Sequence, residues 1–159
     1  MDVNGFKGPN SEARNGKQYD IRSFKVAKFS KGCAGFEMKG IGCVYQLPSY
    51  SPIKAGSEEM KKWDPNWTVE KVGSYASRDN YWAGAKKACD DIGMSLPDES
   101  KLFNIYDNGS HLSALPSYED VWTSSEKNAR YAYSVSFGNG DTDYAYKSYD
   151  ITKVVCVGD

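Results

Sequence analysis

Apolar positions along the chain follow two periods. Over residues 81–92, Trp82, Ala85, Cys89 and Ile92 recur every third or fourth position, which predicts a helix with one buried face. Asp79 or Asn80 stands where a cap belongs, and Gly93 where the left-handed residue after a helix belongs. The small side chains of Ala83, Gly84, Ala85 and Ala88 let that helix approach a sheet closely. A second helix opens at Pro97-Asp98, carries Leu102, Phe103, Ile105 and Tyr106 on its apolar side, and ends at Asn108-Gly109. A short helix over residues 57–63 must stop before Pro65.

Elsewhere the pattern is strand-like. Residues 20–29 carry Ile21, Phe24, Val26 and Phe29, a strand with one irregularity. Gly32, Gly35, Gly40 and Gly42 frame a loop around Cys33 and Cys43, and residues 47–56 form a turn-rich connector. Val121-Trp122-Thr123 is a short strand. Tyr133, Val135 and Phe137 alternate with Ala132, Ser134 and Ser136, as in a half-buried strand, and Gly138-Asn139-Gly140-Asp141 is a strong turn signal. Residues 151–157 predict a final apolar strand. The expected class is therefore α+β, with a β-rich segment and connector over residues 1–56 and a mixed unit over residues 57–159 whose dense pattern begins near Trp67.

Composition narrows the function. At 159 residues the chain suits one domain, or a domain with an appended segment. Charged residues make up 26%, and no stretch approaches the roughly 20 apolar residues of a membrane-spanning helix. No signal-peptide pattern follows Met1. A net charge of −1 argues against a nucleic-acid partner, so Lys25, Lys28, Lys31, Lys61 and Lys62 read as solvated edges. Four cysteines without a C-x-x-C spacing, and a single His111, do not make a zinc site. They read as two disulfides, hence an oxidising compartment. A bridge between Cys33 and Cys43 would close a small loop and stabilise it by roughly 2–3 kcal/mol. Residues 128–150 are rich in Tyr, Asp, Ser, Asn and Gly, the side chains that binding loops use to meet varied shapes.

Several of these segments together resemble a known family. They are Trp82…Ala85…Ala88-Cys89…Gly93…Leu96-Pro97, then residues 121–126 (VWTSSE), then residues 132–137 (AYSVSF) with Asn139-Gly140, and lastly Lys147 and residues 154–157 (VVCV). In that order they resemble the C-type lectin-like fold, in the branch of bacterial and phage adhesin domains and variable proteins of diversity-generating retroelements. The likeness spans about residues 72–157. It implies two helices on short antiparallel sheets, with the domain's termini paired in one sheet. It also implies a disulfide from Cys89 to Cys156, worth about 4 kcal/mol on the loop-entropy model.

The variable-protein branch further implies a fixed frame with diversified, ligand-facing positions. Carried over, Tyr133, Val135, Phe137, Gly140 and Lys147 are frame, while Tyr131, Ser134, Ser136, Asp141, Asp143, Tyr144, Tyr146, Ser148 and Tyr149 face a ligand. The opening residues 2–10 (DVNGFKGPN), with Gly16 and Asp20, resemble the distal end of type IV pilin-like and pseudopilin proteins. That likeness implies an anchoring hydrophobic helix upstream and a stalk that carries the lectin-like head.

Other chemistry weighs little. Asp2, Asn4 and Asp20 lack the downstream Glu of a calcium loop. Asn139, Asp141 and Asp143 alternate oxygens, without the motifs through which lectins of this fold hold sugar by calcium. His111 reads as a surface loop residue, and Ser124-Ser125-Glu126 has no histidine beside it. Trp82 and Trp122 read as core, Trp63 and Trp67 as packing between the two segments. The expectation is a non-enzymatic adhesion module, without cofactor or metal, secreted or displayed on a cell surface or pilus. Its partner is a protein or glycan on another cell or phage; the alternative is a minor pilin that contacts other pilus subunits.

Overall fold

Phe36–Met38 (β1) and Gly42–Gln46 (β2) form an antiparallel hairpin, with Phe36 opposite Val44 and Met38 opposite Gly42. Gly40, at φ 81°, makes the turn that a side chain would strain. The glycine pattern around Cys43 thus belongs to a hairpin rather than a loop. At three residues, β1 is too short for its alternation to be read in the sequence. The computed structural model describes residues 33–109, 115–116 and 118–158. The expected strand over residues 20–29, the pilin-like opening, the Asp2/Asn4/Asp20 series and His111 lie outside the described residues.

β2 pairs antiparallel with the last strand, Val155–Gly158 (β6), so that Cys43 faces Gly158 and Gln46 faces Val155. An early and a late segment therefore share one sheet, in the order β1-β2-β6. By their contacts, residues 34–159 form one compact unit. A second sheet is a meander of Asp120–Glu126 (β3), Tyr131–Ser136 (β4) and Thr142–Tyr146 (β5). The apolar run over residues 151–157 serves both sheets. Lys153 makes a parallel bridge to Val121, and the backbone joins β2 only from Val155, leaving Ile151 73% exposed.

Helices connect the sheets. Glu58–Trp63 (α1) ends before Pro65, as expected, and Val69–Val72 (α2) runs into a 3-10 turn over Gly73–Ser77. Tyr81–Asp91 (α3) is capped by Asn80, whose side-chain oxygen accepts from the Ala83 amide at 2.8 Å, and Gly93 follows it at φ 76°. Glu99–Gly109 (α4) starts on the Asp98 carboxylate, which accepts from the Lys101 amide at 2.8 Å.

The main core joins Leu102 and Ile105 of α4 to Val44, Val121, Val135, Phe137, Val155 and Val157 of both sheets. Each such side chain contributes about 1.5–3 kcal/mol on burial. Ile53, Met60, Trp67, Val72 and Ala83 form a second cluster, against which Trp63 packs. Trp82 and Trp122 are core, and each finds a partner for its indole N–H: the Thr123 carbonyl at 2.8 Å and the Tyr50 hydroxyl at 3.1 Å. Tyr50 in turn donates to the Thr152 carbonyl at 2.7 Å, and burial pushes its phenol up to about 12. The Cys89–Cys156 disulfide ties α3 to β6 with its Cα atoms 5.5 Å apart. Cys33 and Cys43 are disulfide-bonded as well. Among the described residues no helix is long and apolar enough to cross a membrane.

Candidate functional site

Strand alternation divides the second sheet into two unlike faces. The pairs Tyr131–Tyr146 and Tyr133–Tyr144 lie directly opposite across β4 and β5, so all four rings stand on one face. The intervening pair Ala132–Ala145 points the other way and is buried, as is Ser134. Along β4 the tyrosine face continues into Val135, which lies in the core with Ile105 and Leu102. One end of this face is thus sealed by apolar packing, while the other presents rings.

Three of those rings are in contact. Tyr131 and Tyr146 have centroids 4.5 Å apart at a tilt of 31°, and Tyr144 meets the Tyr131 ring edge-on at 5.2 Å. Tyr149 packs on Tyr146 at 5.3 Å from beyond the end of β5. From the 3-10 turn, Tyr75 also packs on Tyr146, with ring centroids 5.1 Å apart. The neighbouring Tyr146 hydroxyl, then partial desolvation, raise the Tyr75 phenol above its ordinary value. Tyr144 and Tyr149 remain 48% and 44% exposed, so solvent reaches the array from above. Such aromatic pairs contribute about 0.5–1.5 kcal/mol beyond their area.

Three cations border the rings. Lys127 Nζ lies 4.7 Å from the Tyr144 centroid and 5.7 Å from that of Tyr133. The guanidinium groups of Arg78 and Arg130 lie 5.0 and 5.2 Å from the Tyr75 ring. All three side chains are on exposed residues. A cation over a ring is held in place without losing its reach toward a ligand.

The reverse face fixes the array from behind. Lys147, one residue after Tyr146, turns inward and is wholly buried, donating to Asp64 Oδ2 at 2.9 Å and to Glu126 Oε2. Asp64 also accepts from Asn80 Nδ2 at 2.8 Å, and the Lys147 ammonium lies 4.6 Å from the Trp82 ring. Burial alone would raise the Glu126 carboxyl, but hydrogen bonds from Lys147 and Asn66 hold it below its ordinary value. Lys86 Nζ lies 3.7 Å from the Trp82 ring centroid, and burial holds its ammonium below its ordinary value. The Lys147 carbonyl receives the Tyr81 amide at 2.7 Å, so the helix start and the end of β5 are joined through one residue.

Of the nine expected ligand-facing residues, Tyr131, Tyr144, Tyr146 and Tyr149 come together here. Ser134 is turned inward, opposite in direction to the tyrosines, and its hydroxyl is buried without a hydrogen-bond partner among the described residues. The Ser148 hydroxyl is likewise buried, with no hydrogen-bond partner among the described residues. Ser136 closes the turn by accepting from the Gly138 amide at 3.2 Å, and the exposed Asp141 donates its amide to Asn139 Oδ1 at 3.0 Å. Asp143 pairs with Ser134 and so points to the reverse side. In the frame set, Val135, Phe137 and Lys147 are buried, and Gly140 (φ 80°) leaves room for the Tyr106 ring, 2.7 Å from where a Cβ would be. Tyr133 departs from the frame assignment and stands half-buried on the tyrosine face.

Tyr75 and its neighbour Arg78 lie outside the stretch that composition singled out. A signal was present: residues 73–78 (GSYASR) repeat the Gly/Ser/Tyr/Arg mixture of residues 128–150 on a small scale. In comparisons with known proteins, no family model and no curated protein matches the chain.

Proposed function

We propose that this protein is a non-enzymatic binding module of the C-type lectin-like type, acting outside the cell, on a surface or pilus. It takes its partner on Tyr75, Tyr131, Tyr133, Tyr144, Tyr146 and Tyr149. The observation that carries this reading is the continuous, half-open array of tyrosine rings with cations at its border. Tyr gives a large amphipathic contact with only two torsions to order, and each hydroxyl can hydrogen-bond. Mutual packing holds these rings in advance, which lowers the entropic cost of association.

The lectin-like assignment is supported by the pairing of an early strand with the last one and by the helix-to-last-strand disulfide. Two disulfides agree with an oxidising location. In a retroelement-diversified protein, sister copies would differ at Tyr131, Tyr144 and Tyr146 and agree at Val135, Phe137 and Cys156. Sister sequences identical at all six positions remove diversification from the reading.

The binding role is tested by presenting the full chain to a glycan array and to a displayed peptide library. Ligands retained by the wild type should be lost by the Tyr131→Ala/Tyr144→Ala protein, whose circular dichroism spectrum stays native. Retention by that folded variant would move the site elsewhere.

A further inference from the structure

Charge is sorted between the two faces of the second sheet. Lys127, Arg130 and Arg78 border the tyrosines, and among the described residues none of the three has a carboxylate within ion-pair distance. The acidic side chains of the same strands lie behind. Asp120 is opposite Ser136 and Asp143 opposite Ser134, which places both carboxylates on the reverse face. They lie near enough that burial first, and the charge of Asp143 second, raise the Asp120 carboxyl. Asp150, next to Tyr149, borders a separate groove with Tyr50, Tyr81 and Thr152. A chain of net charge −1 thus presents an electropositive rim on the face that carries its aromatic array.

We propose that the partner is a protein presenting an acidic segment, whose carboxylates meet Lys127, Arg130 and Arg78 while its neighbouring side chains cover the tyrosine rings. The inference rests on the tyrosine face being the binding surface. Two features favour a protein over an acidic glycan. Tyr and Arg together are the side chains most enriched where protein interfaces concentrate their affinity. Guanidinium groups also match carboxylates as forked, two-point donors, and those held against a ring lose less freedom in doing so. A positive rim on a weakly acidic molecule steers an acidic partner to this face and away from the rest of the surface.

The test is to pan a phage-displayed random peptide library on the full chain at low ionic strength. The selected peptides should share at least two Asp or Glu positions. Their affinity should fall about tenfold or more for the Lys127→Glu/Arg130→Glu protein, and fall with added salt. A neutral or basic consensus that is lost on Tyr144→Ala would overturn the acidic partner and leave the tyrosine face intact. Peptides indifferent to both sets of substitutions overturn the inference together with the reading it rests on. An empty peptide selection overturns the protein partner, and retention of uronic or sulfated sugars in that case assigns the rim to a glycan.

Discussion

The Lys147 ammonium lies 2.9 Å from Asp64 Oδ2, although 83 residues separate the two in the chain and neither is open to water. The pair joins the end of β5 to the segment after α1, directly behind the tyrosine face. Lys147→Ala would leave a buried carboxylate without its counter-charge, a loss of about 3–5 kcal/mol. Urea denaturation of the variant should show that fall. A Lys147→Met/Asp64→Leu protein, which removes both charges, should lose much less; equal losses would mean that packing, not charge, makes the pair important.

Acid should loosen the same cluster. The folded-state Glu126 carboxyl is held below its ordinary value, so the unfolded chain takes up the proton first as pH falls. The stabilisation from Glu126 is complete above the ordinary glutamate range and is lost as pH drops through that range toward the lowered folded value. Asp120 acts in the opposite sense, because its folded-state carboxyl is raised and its ionisation weakens the fold as pH rises. Urea midpoints followed into acid should decline less steeply for Glu126→Gln than for the wild type. At neutral pH, Asp120→Asn should be slightly more stable than the wild type.

How much of this was legible in the sequence depends on the range of the interaction. The two long helices declare themselves, because Asn80, Gly93 and Asp98 act on backbone groups within three residues. The Lys147 cluster does not, since nothing in the sequence pairs position 147 with 64. In the tyrosine stretch, simple alternation puts Ser134 and Ser136 outward and Tyr133 inward, but the structure reverses Ser134 and Tyr133. The reason is that α3 and the Lys147 cluster bury the small residues of that sheet end, while within this stretch α4 covers Val135 and Phe137 on the other side. The sheet changes which face is buried part-way along β4, a switch that no fixed period can express.

The Cys89–Cys156 bridge spans 67 residues and should contribute about 4 kcal/mol by restricting the unfolded chain. A Cys89→Ala/Cys156→Ala protein should unfold at a correspondingly lower urea concentration. A loss below about 1 kcal/mol would show that packing of α3 on the sheets holds this junction without the bond.

Gly84 lets α3 lie directly against the backbone of Ser51 and Pro52. A methyl group there would run into the Ser51 carbonyl and stand 2.7 Å from Pro52 Cα, both of them backbone and unable to swing aside. Gly84→Ala would normally favour a helix, yet here it should destabilise by about 1–3 kcal/mol through overpacking. Thermal melts would check the sign, and a stabilised variant would show that the connector before α1 can retreat.

The pairing of β2 with β6 has a mechanical meaning. Because Cys43 lies opposite Gly158 and the strands run antiparallel, tension drawn outward through both strands from that end peels the ladder pair by pair instead of shearing it. Peeling frees Gly158 and Val157 and then reaches Cys156, which is bonded to α3. Under load this unit should yield by only a few residues and then behave as a locked link, with the tyrosine face still assembled. Single-molecule pulling should show a short extension in the oxidised protein and a longer one after reduction.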